Sequence, residues 1–386
     1  MSSTRRAVLT ALGATALSGC LGLRPASAGS PPIDCGPESL AWPTYGYDAA
    51  RTSRVPDRPL PPADAQPRRL SRTGANPDVG GSVDAPPVVA GGVAYVAGDV
   101  RIEARAVDTG NRLWATDPGG SVSTSPALGC GVVYVSTDNE TLALDRGDGA
   151  VLWRADVGAG GPSNGSGSPV VDGDTVYVPG GGVAALDAET GDRRWRVRTD
   201  HVAQGLALTD RVYVGTGSNG GGGVAAVTRG GDHWWRTELG PVYAPPAVAD
   251  DAVYAVTKTG TLAALATTDG TVQWQTAIES GVYAPPAVAD GRVVVGAGNG
   301  THAMAFDAET GDRLWRFETG VSQSAPVVVG DRVLVSGANA GVDVLDLGTG
   351  ERRRGWDLHG VGSQPVVADG RLFYRSWNVS DVVAVA

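Results

Sequence analysis

Few residues of this chain have the types and spacing that chemistry demands. Gly161-Pro-Ser163-Asn-Gly165 spells Gly-x-Ser-x-Gly, the letters of a nucleophile elbow. An elbow needs a strand before the serine and a helix after it. Here a polar loop precedes Ser163 and a strand pattern follows, so Ser163 reads as a loop residue. Gly180-Gly-Gly182 and Gly220-Gly-Gly-Gly223 lack the following helix and the Gly-Lys-Ser/Thr of a phosphate loop, and read as turns. His201, His233, His302 and His359 fall at unrelated points and read as solvated loop residues, not as a shared metal site. Cys20, Cys35 and Cys130 are separate, and the redox state of Cys35 and Cys130 stays open. The expectation is therefore a protein that is not an enzyme, with no catalytic, cofactor-binding or metal set.

The N-terminus carries a different chemistry, that of export and anchoring. Arg5-Arg6 precede an apolar run, Ala7 to Leu17, too short to span a bilayer. This reads as a twin-arginine signal. The run ends in Leu17-Ser-Gly-Cys20, which resembles a lipobox, with Cys20 the lipidated residue after cleavage. Two acyl chains on Cys20 hold a membrane better than one. Residues 1–20 are thus expected as signal peptide and 21–41 as a flexible tether. The expected location is the outer face of the cytoplasmic membrane. Sequons at Asn139, Asn164, Asn299 and Asn378 permit glycosylation.

The elements behind these residues announce themselves through tryptophan. Trp114, Trp153, Trp195, Trp235, Trp274 and Trp315 recur at intervals of 39 to 42 residues. Each closes a phrase such as Ala305-Phe-Asp-Ala-Glu-Thr-Gly-Asp-Arg-Leu-Trp315. A period near 40 means one supersecondary unit copied many times. Within residues 284–317, four short β-rich runs are separated by Asp290-Gly291, Asn299-Gly300 and Asp307–Gly311, all turn chemistry. No window shows a helical apolar period beyond the N-terminus. Four strands per 40 residues predict a propeller blade.

Innermost strands are predicted to start at Pro87, Pro126, Pro169, Gly205, Pro246, Pro286, Pro326 and Pro365. The fold class is therefore all-β, an eight-bladed propeller of four-stranded antiparallel blades over residues 67–386. The last repeat runs out after three strands, and residues 67–74 are expected to supply its fourth and close the ring. Closure removes an edge that would otherwise pair with another chain. The seventh repeat has Arg354 in the tryptophan position and Trp356 two places on, and the fourth reads as degraded.

Composition suits this plan, with 57 glycines for the turns. Net charge is −10, and loss of residues 1–20 with their two arginines makes it −12. Lys258 is the sole lysine, a balance seen in halophiles and also produced by high-GC coding. Such acidity excludes a nucleic-acid partner, which needs a basic face.

The phrase Ala-x-Asp-x-x-Thr-Gly-x-x-x-Trp resembles the tryptophan-docking motif of the pyrroloquinoline-quinone (PQQ) repeat superfamily. Trp42-Pro-Thr-Tyr-Gly-Tyr-Asp-Ala-Ala-Arg-Thr52, inside a leading segment of residues 42–66, resembles the start of these proteins. The resemblance implies that the six tryptophans are structural, packing between blades. It offers two branches, the quinoprotein dehydrogenases and a non-enzymatic BamB-like branch of propeller lipoproteins. The dehydrogenases carry an adjacent Cys-Cys pair over the quinone and Glu, Asn and Asp on Ca²⁺. No Cys-Cys pair occurs here, which favours the BamB-like branch and no cofactor.

What remains for function is the rim where each outer strand hands over to the next inner strand. Asp84, Ser123, Ser166, Tyr243, Tyr283, Gln323 and Gln364 are the candidates there. Tyrosine is favoured at contact surfaces. The leading expectation is a lipid-anchored scaffold that binds an unknown protein at the cell surface. A PQQ-dependent oxidoreductase and a glycan-binding propeller are the alternatives.

Overall fold

The computed structural model describes residues 42–72, 85–98, 101–122, 124–129, 131–157, 167–279, 281, 283–296, 298, 301–320, 324–337, 341–376 and 381–386. Arg5, Arg6, Cys20, Cys35, Asp84, Ser123, Cys130, Ser163, Asn164, Ser166, Asn299, Gln323 and Asn378 lie outside them. Eight antiparallel sheets form an eight-bladed propeller, and no helix occurs among the described residues. Blades 1 to 7 span residues 88–116, 127–156, 170–197, 203–238, 247–277, 287–318 and 327–356. Blade 8 takes three strands from residues 366–385 and its outermost strand from Pro67–Arg72, which pairs antiparallel with Asp381–Val385.

Turn chemistry sets the hairpins. Asp290-Gly291 and Asp369-Gly370 have φ of 50° and 70°, and 51° and 70°. Both central residues are left-handed, as the tightest hairpin requires. The apolar core lies between successive sheets. Tyr95, Tyr134, Tyr177, Tyr213 and Tyr254 each lean on the tryptophan of their own blade, with centroids 5.8 to 6.1 Å apart.

Each of the six tryptophans docks on the next blade. The indole nitrogens of Trp114, Trp153, Trp195, Trp235, Trp274 and Trp315 donate to Arg146, Ala188, Arg229, Thr267, Ala308 and Leu347 carbonyls at 2.8 to 3.1 Å. The ring lies against the turn glycine. A Cβ at Gly311 would stand 2.6 Å from Trp274 Cε3, and its φ of 77° also suits glycine. The outer strand carries a bulge beside the tryptophan: Ala185 faces Trp195 but Leu186 faces Arg193. Bulges re-aim side chains. Here the skipped residue faces solvent, which explains the exposure of Leu113, Leu152, Trp234 and Leu314.

Two sequence expectations need correction. In the fourth blade, whose docking phrase is degraded, Gly221, Gly222 and Gly223 of the run expected as a turn lie within a strand. Its middle strands, Arg211–Ser218 and Gly221–Thr228, are the longest of the described strands, because Gly222 and Gly223 let the ladder continue past Thr216. His302 is not a solvated loop residue. It opens the strand His302–Asp307, and its ring is engaged on both nitrogens, while His233 likewise opens the strand His233–Glu238.

The leading segment does what no repeat could show. Residues 42–55 run around the channel and hydrogen-bond the innermost strands in turn. Val89 and Leu128 donate to Trp42 and Pro43; Leu208, Val248, Val288 and Val328 donate to Ala49, Ala50, Thr52 and Ser53, all at 2.7 to 3.0 Å. Arg54–Val55 then adds to blade 7 as a parallel strand. Innermost strands have one free edge, and a buried backbone N–H without a partner is costly. The leading segment fills those valences. Its turns use positive φ at Tyr47, Arg51 and Ser53, and such strain persists only where surroundings over-determine it.

Candidate interaction surface

In each blade the inner strand and the third strand run one way, the second and fourth the other. The blade-to-blade crossovers and the hairpins joining second to third strands therefore share one face. On it, the near-copies Val242–Asp250 and residues 282–290 place Tyr243 and Tyr283 at equivalent crossovers of adjacent blades. The two rings stack, with centroids 5.8 Å apart and planes 23° from parallel. Both are half-buried. Lys258, on the hairpin between them, sets Nζ 5.3 Å from the Tyr243 centroid. The cation–π arrangement holds a lysine in place at modest gain in an exposed setting.

Outboard lies a polar cluster that the sequence reading missed. His302 Nδ1 is 2.9 Å from Glu279, and Nε2 is 3.0 Å from Arg316 Nη2. Arg316 also pairs with Glu279 at 3.3 Å. A guanidinium only donates, so Nε2 accepts and Nδ1–H donates to Glu279. The signal was present, since His302 and Glu279 flank predicted turns of one face. Compared as single residues, however, they had no common repeat position. Beyond it, between blades 3 and 4, Asp200, His201, His233, Trp234 and Arg236 line a cleft of about 370 Å³.

The other described rim candidate behaves differently. Gln364 is 1% exposed. Its Oε1 accepts from Gly46 N at 3.1 Å and its Nε2 donates to Ser53 Oγ at 2.9 Å. It anchors the leading segment and offers nothing to a partner. Arg51 does the same from within: its five N–H groups meet Leu206 O, Thr44 Oγ1, Tyr45 O, Ser168 O and Pro169 O. Burial pulls the guanidinium down to about 10, so it stays charged at neutral pH. Among the described residues, no His, Cys, Asp and Glu converge as a cation site.

An eight-bladed ring of tryptophan-docked sheets, threaded by its own leading segment, defines a PQQ-repeat β-propeller. The chain belongs to the family described as outer membrane protein assembly factor BamB, whose profile matches residues 63–219 and 220–358. It is similar in structure to BamB from Moraxella catarrhalis, with TM-score 0.65 and 19% identity over 83% of this chain and 96% of that one. It is also similar to the quinohemoprotein alcohol dehydrogenase of Comamonas testosteroni, with TM-score 0.70 and 19% identity over 91% and 81%. A europium-containing methanol dehydrogenase gives TM-score 0.71 and 16% identity over 92% and 90%. At such identities the likeness is one of fold. Comparison with curated proteins gives no match.

Proposed function

We propose that this protein is an extracytoplasmic scaffold, exported through Arg5-Arg6, anchored through Cys20, and binding a protein partner on the face that carries Tyr243 and Tyr283. The observation that carries the reading is the stacked tyrosine pair capped by the only lysine of an acidic chain. Rigid aromatic rings give contact area at low entropic cost, and a single cation adds orientation. Family membership supports a role in protein interaction.

Two features weigh against a quinone of the dehydrogenase kind. The donors of the buried Arg51 are all spent on protein oxygens and are not available to a quinone carboxylate. No cysteine pair stands in the sequence to cover its ring. We derive no redox step.

In-cell crosslinking followed by pull-down tests the scaffold reading. A discrete partner should be captured by the native chain and lost with Tyr243→Ala/Tyr283→Ala. Dye-linked turnover on adding PQQ and Ca²⁺ would overturn the reading in favour of the oxidoreductase.

A further inference from the structure

On the opposite face, the blade interfaces share one construction but vary in the residue that receives the docking tryptophan. Between blades 1 and 2, the residue whose carbonyl receives the docking Trp114 is Arg146. Its side chain turns back into the interface and is buried. Nε donates to Tyr95 Oη at 2.8 Å and Nη2 to Ala90 O at 3.1 Å, with the guanidinium 5.4 Å from the Tyr95 ring centre. Between blades 3 and 4 the same position is Arg229, paired with Asp172 beside Tyr177.

Between blades 5 and 6 the position is Ala308. Its carbonyl takes Trp274 Nε1 at 3.0 Å and Tyr254 Oη at 3.3 Å. The side-chain space is open, a cleft of about 440 Å³ lined by Tyr254, Asp250, Asp307, Glu309, Gln273 and Ala308 itself. Repeat alignment places Tyr254 where Tyr95 stands, Ala249 where Ala90 stands, and Asp250 where Gly91 stands. A Cβ on Gly91 would lie 3.5 Å from Arg146 Nη2. The carboxylate of Asp250 thus grows from the point that a guanidinium touches between blades 1 and 2.

Asp307 Oδ1 accepts from the turn amides of Glu309 and Thr310 at 2.9 Å, but among the described residues no arginine pairs with the acids of this cleft. Between blades 2 and 3, where Ala188 also replaces arginine, Asp187 is held by Arg194 at 2.8 Å. Among the described residues, Asp250, Asp307 and Glu309 make no ion pair. The Thr310 and Glu309 amides, and in smaller part the charge of Arg292 across the ladder, lower the Asp307 carboxyl; Arg292 makes no ion pair with it, and its Nη2 is 3.7 Å from where a Gly348 Cβ would stand. Burial and the charges of Asp250 and Asp307 push the Tyr254 hydroxyl up to about 12. The site is aromatic and anionic, and among the described residues no cation is paired with its acids.

We propose that the cleft between blades 5 and 6 is a slot for an arginine side chain presented by a partner polypeptide, which takes the place that Arg146 fills from within the chain between blades 1 and 2. Arginine suits it better than lysine, because a planar fork can meet a carboxylate and a carbonyl while lying on a ring. The inference rests on the scaffold reading only for the partner being a protein.

The test uses the full chain and a capped Gly-Arg-Gly peptide, followed by Trp fluorescence and calorimetry. Saturable binding at about millimolar Kd is expected for one side chain. The lysine peptide should bind several-fold more weakly and the citrulline peptide not measurably. Ala308→Arg should fold, raise the Tm and abolish peptide binding; Asp250→Asn should weaken it about tenfold. Equal binding of the arginine and citrulline peptides, or unchanged binding by Ala308→Arg, overturns the slot. Peptide binding that survives while no partner is captured in cells overturns the scaffold reading and leaves the slot standing.

Discussion

Leu70 stands over Gly110, with Cδ2 3.7 Å from where a Cβ would be. It occupies, at the junction of blade 8 with blade 1, the place that tryptophan holds against a turn glycine at six other junctions. The strand Pro67–Arg72 thus joins the ring both by its ladder to Asp381–Val385 and by this contact. Leu70 is buried, so Leu70→Ala should cost about 2–4 kcal/mol. Deleting residues 67–72 should lower the Tm further and promote association by exposing the edge of blade 8. Differential scanning calorimetry with light scattering checks both. A deletion as stable as the native chain would remove the closing role of this strand.

The docking tryptophans should not be equivalent. Trp114, Trp153 and Trp315 are buried, whereas Trp195, Trp235 and Trp274 are half-exposed. Trp315→Ala should cost about 3–5 kcal/mol by leaving a cavity. Trp195→Ala should cost less, about 2–3 kcal/mol, since water reaches part of the space. Denaturant melts of the two variants give the comparison, and equal losses would mean that burial does not set the scale.

Removing Arg51 strands several carbonyls at once. Arg51→Met keeps the volume but leaves Leu206, Ser168 and Pro169 carbonyls without this donor. Loss of one side of a buried charged network costs about 3–5 kcal/mol. Hydrogen exchange should report it as faster exchange at Leu208 and Val248, whose amides bond the same segment. Loss of stability with those amides still protected would separate Arg51 from the segment.

Acid should weaken the molecule at two matched places. Arg194 bridges Asp174 and Asp187, and Arg353 bridges Asp331 and Asp346. Side-chain bonds from these arginines, then main-chain bonds within the turn, hold Asp187 and Asp346 down at about 2. A carboxyl held lower in the folded state adds stability above its unfolded value, near 4, and that increment is lost as pH falls toward 2. Both sites face solvent, so salt should shrink the effect. In melts between pH 5 and pH 2, Asp187→Asn/Asp346→Asn should show a shallower decline than the native chain.

Tyr243→Ala and Tyr283→Ala should each change stability by no more than about 1 kcal/mol, because both rings are half-exposed. The informative variant is Lys258→Glu. It places a carboxylate beside the Tyr243 ring and should weaken partner capture at low salt while leaving the Tm unchanged. Capture that tolerates Lys258→Glu and both alanines would move the contact off this face.

The blades were legible because their determinants are local and repeated. Asp290-Gly291 specifies its hairpin wherever it sits, and Gly311 marks where Trp274 must land. The path of the leading segment was illegible for the converse reason. Trp42 to Ser53 bond mainly through carbonyl oxygens, which every residue owns, so the residue pattern that marked the segment did not show which strands it would meet. Gln364 was misread on the same account. Its repeat position lies at a rim, but Gly46 and Ser53, more than 300 residues earlier, consume its amide. The empty arginine slot was legible only afterwards, as a missing side chain at Ala308 where Arg146 shows what belongs.

The threaded channel also imposes an order of events. The segment bearing Trp42 and Arg51 is made before the blades, yet its partners arrive one blade at a time, ending with Gln364 and Val367 at blade 8. Contacts of such sequence separation slow folding. The nascent chain holds an unfinished collar until blade 8 has been added, and only then can the collar tighten. A truncated product, however many intact blades it contains, is left with an unlatched core and is distinguishable by any protease that samples the opening.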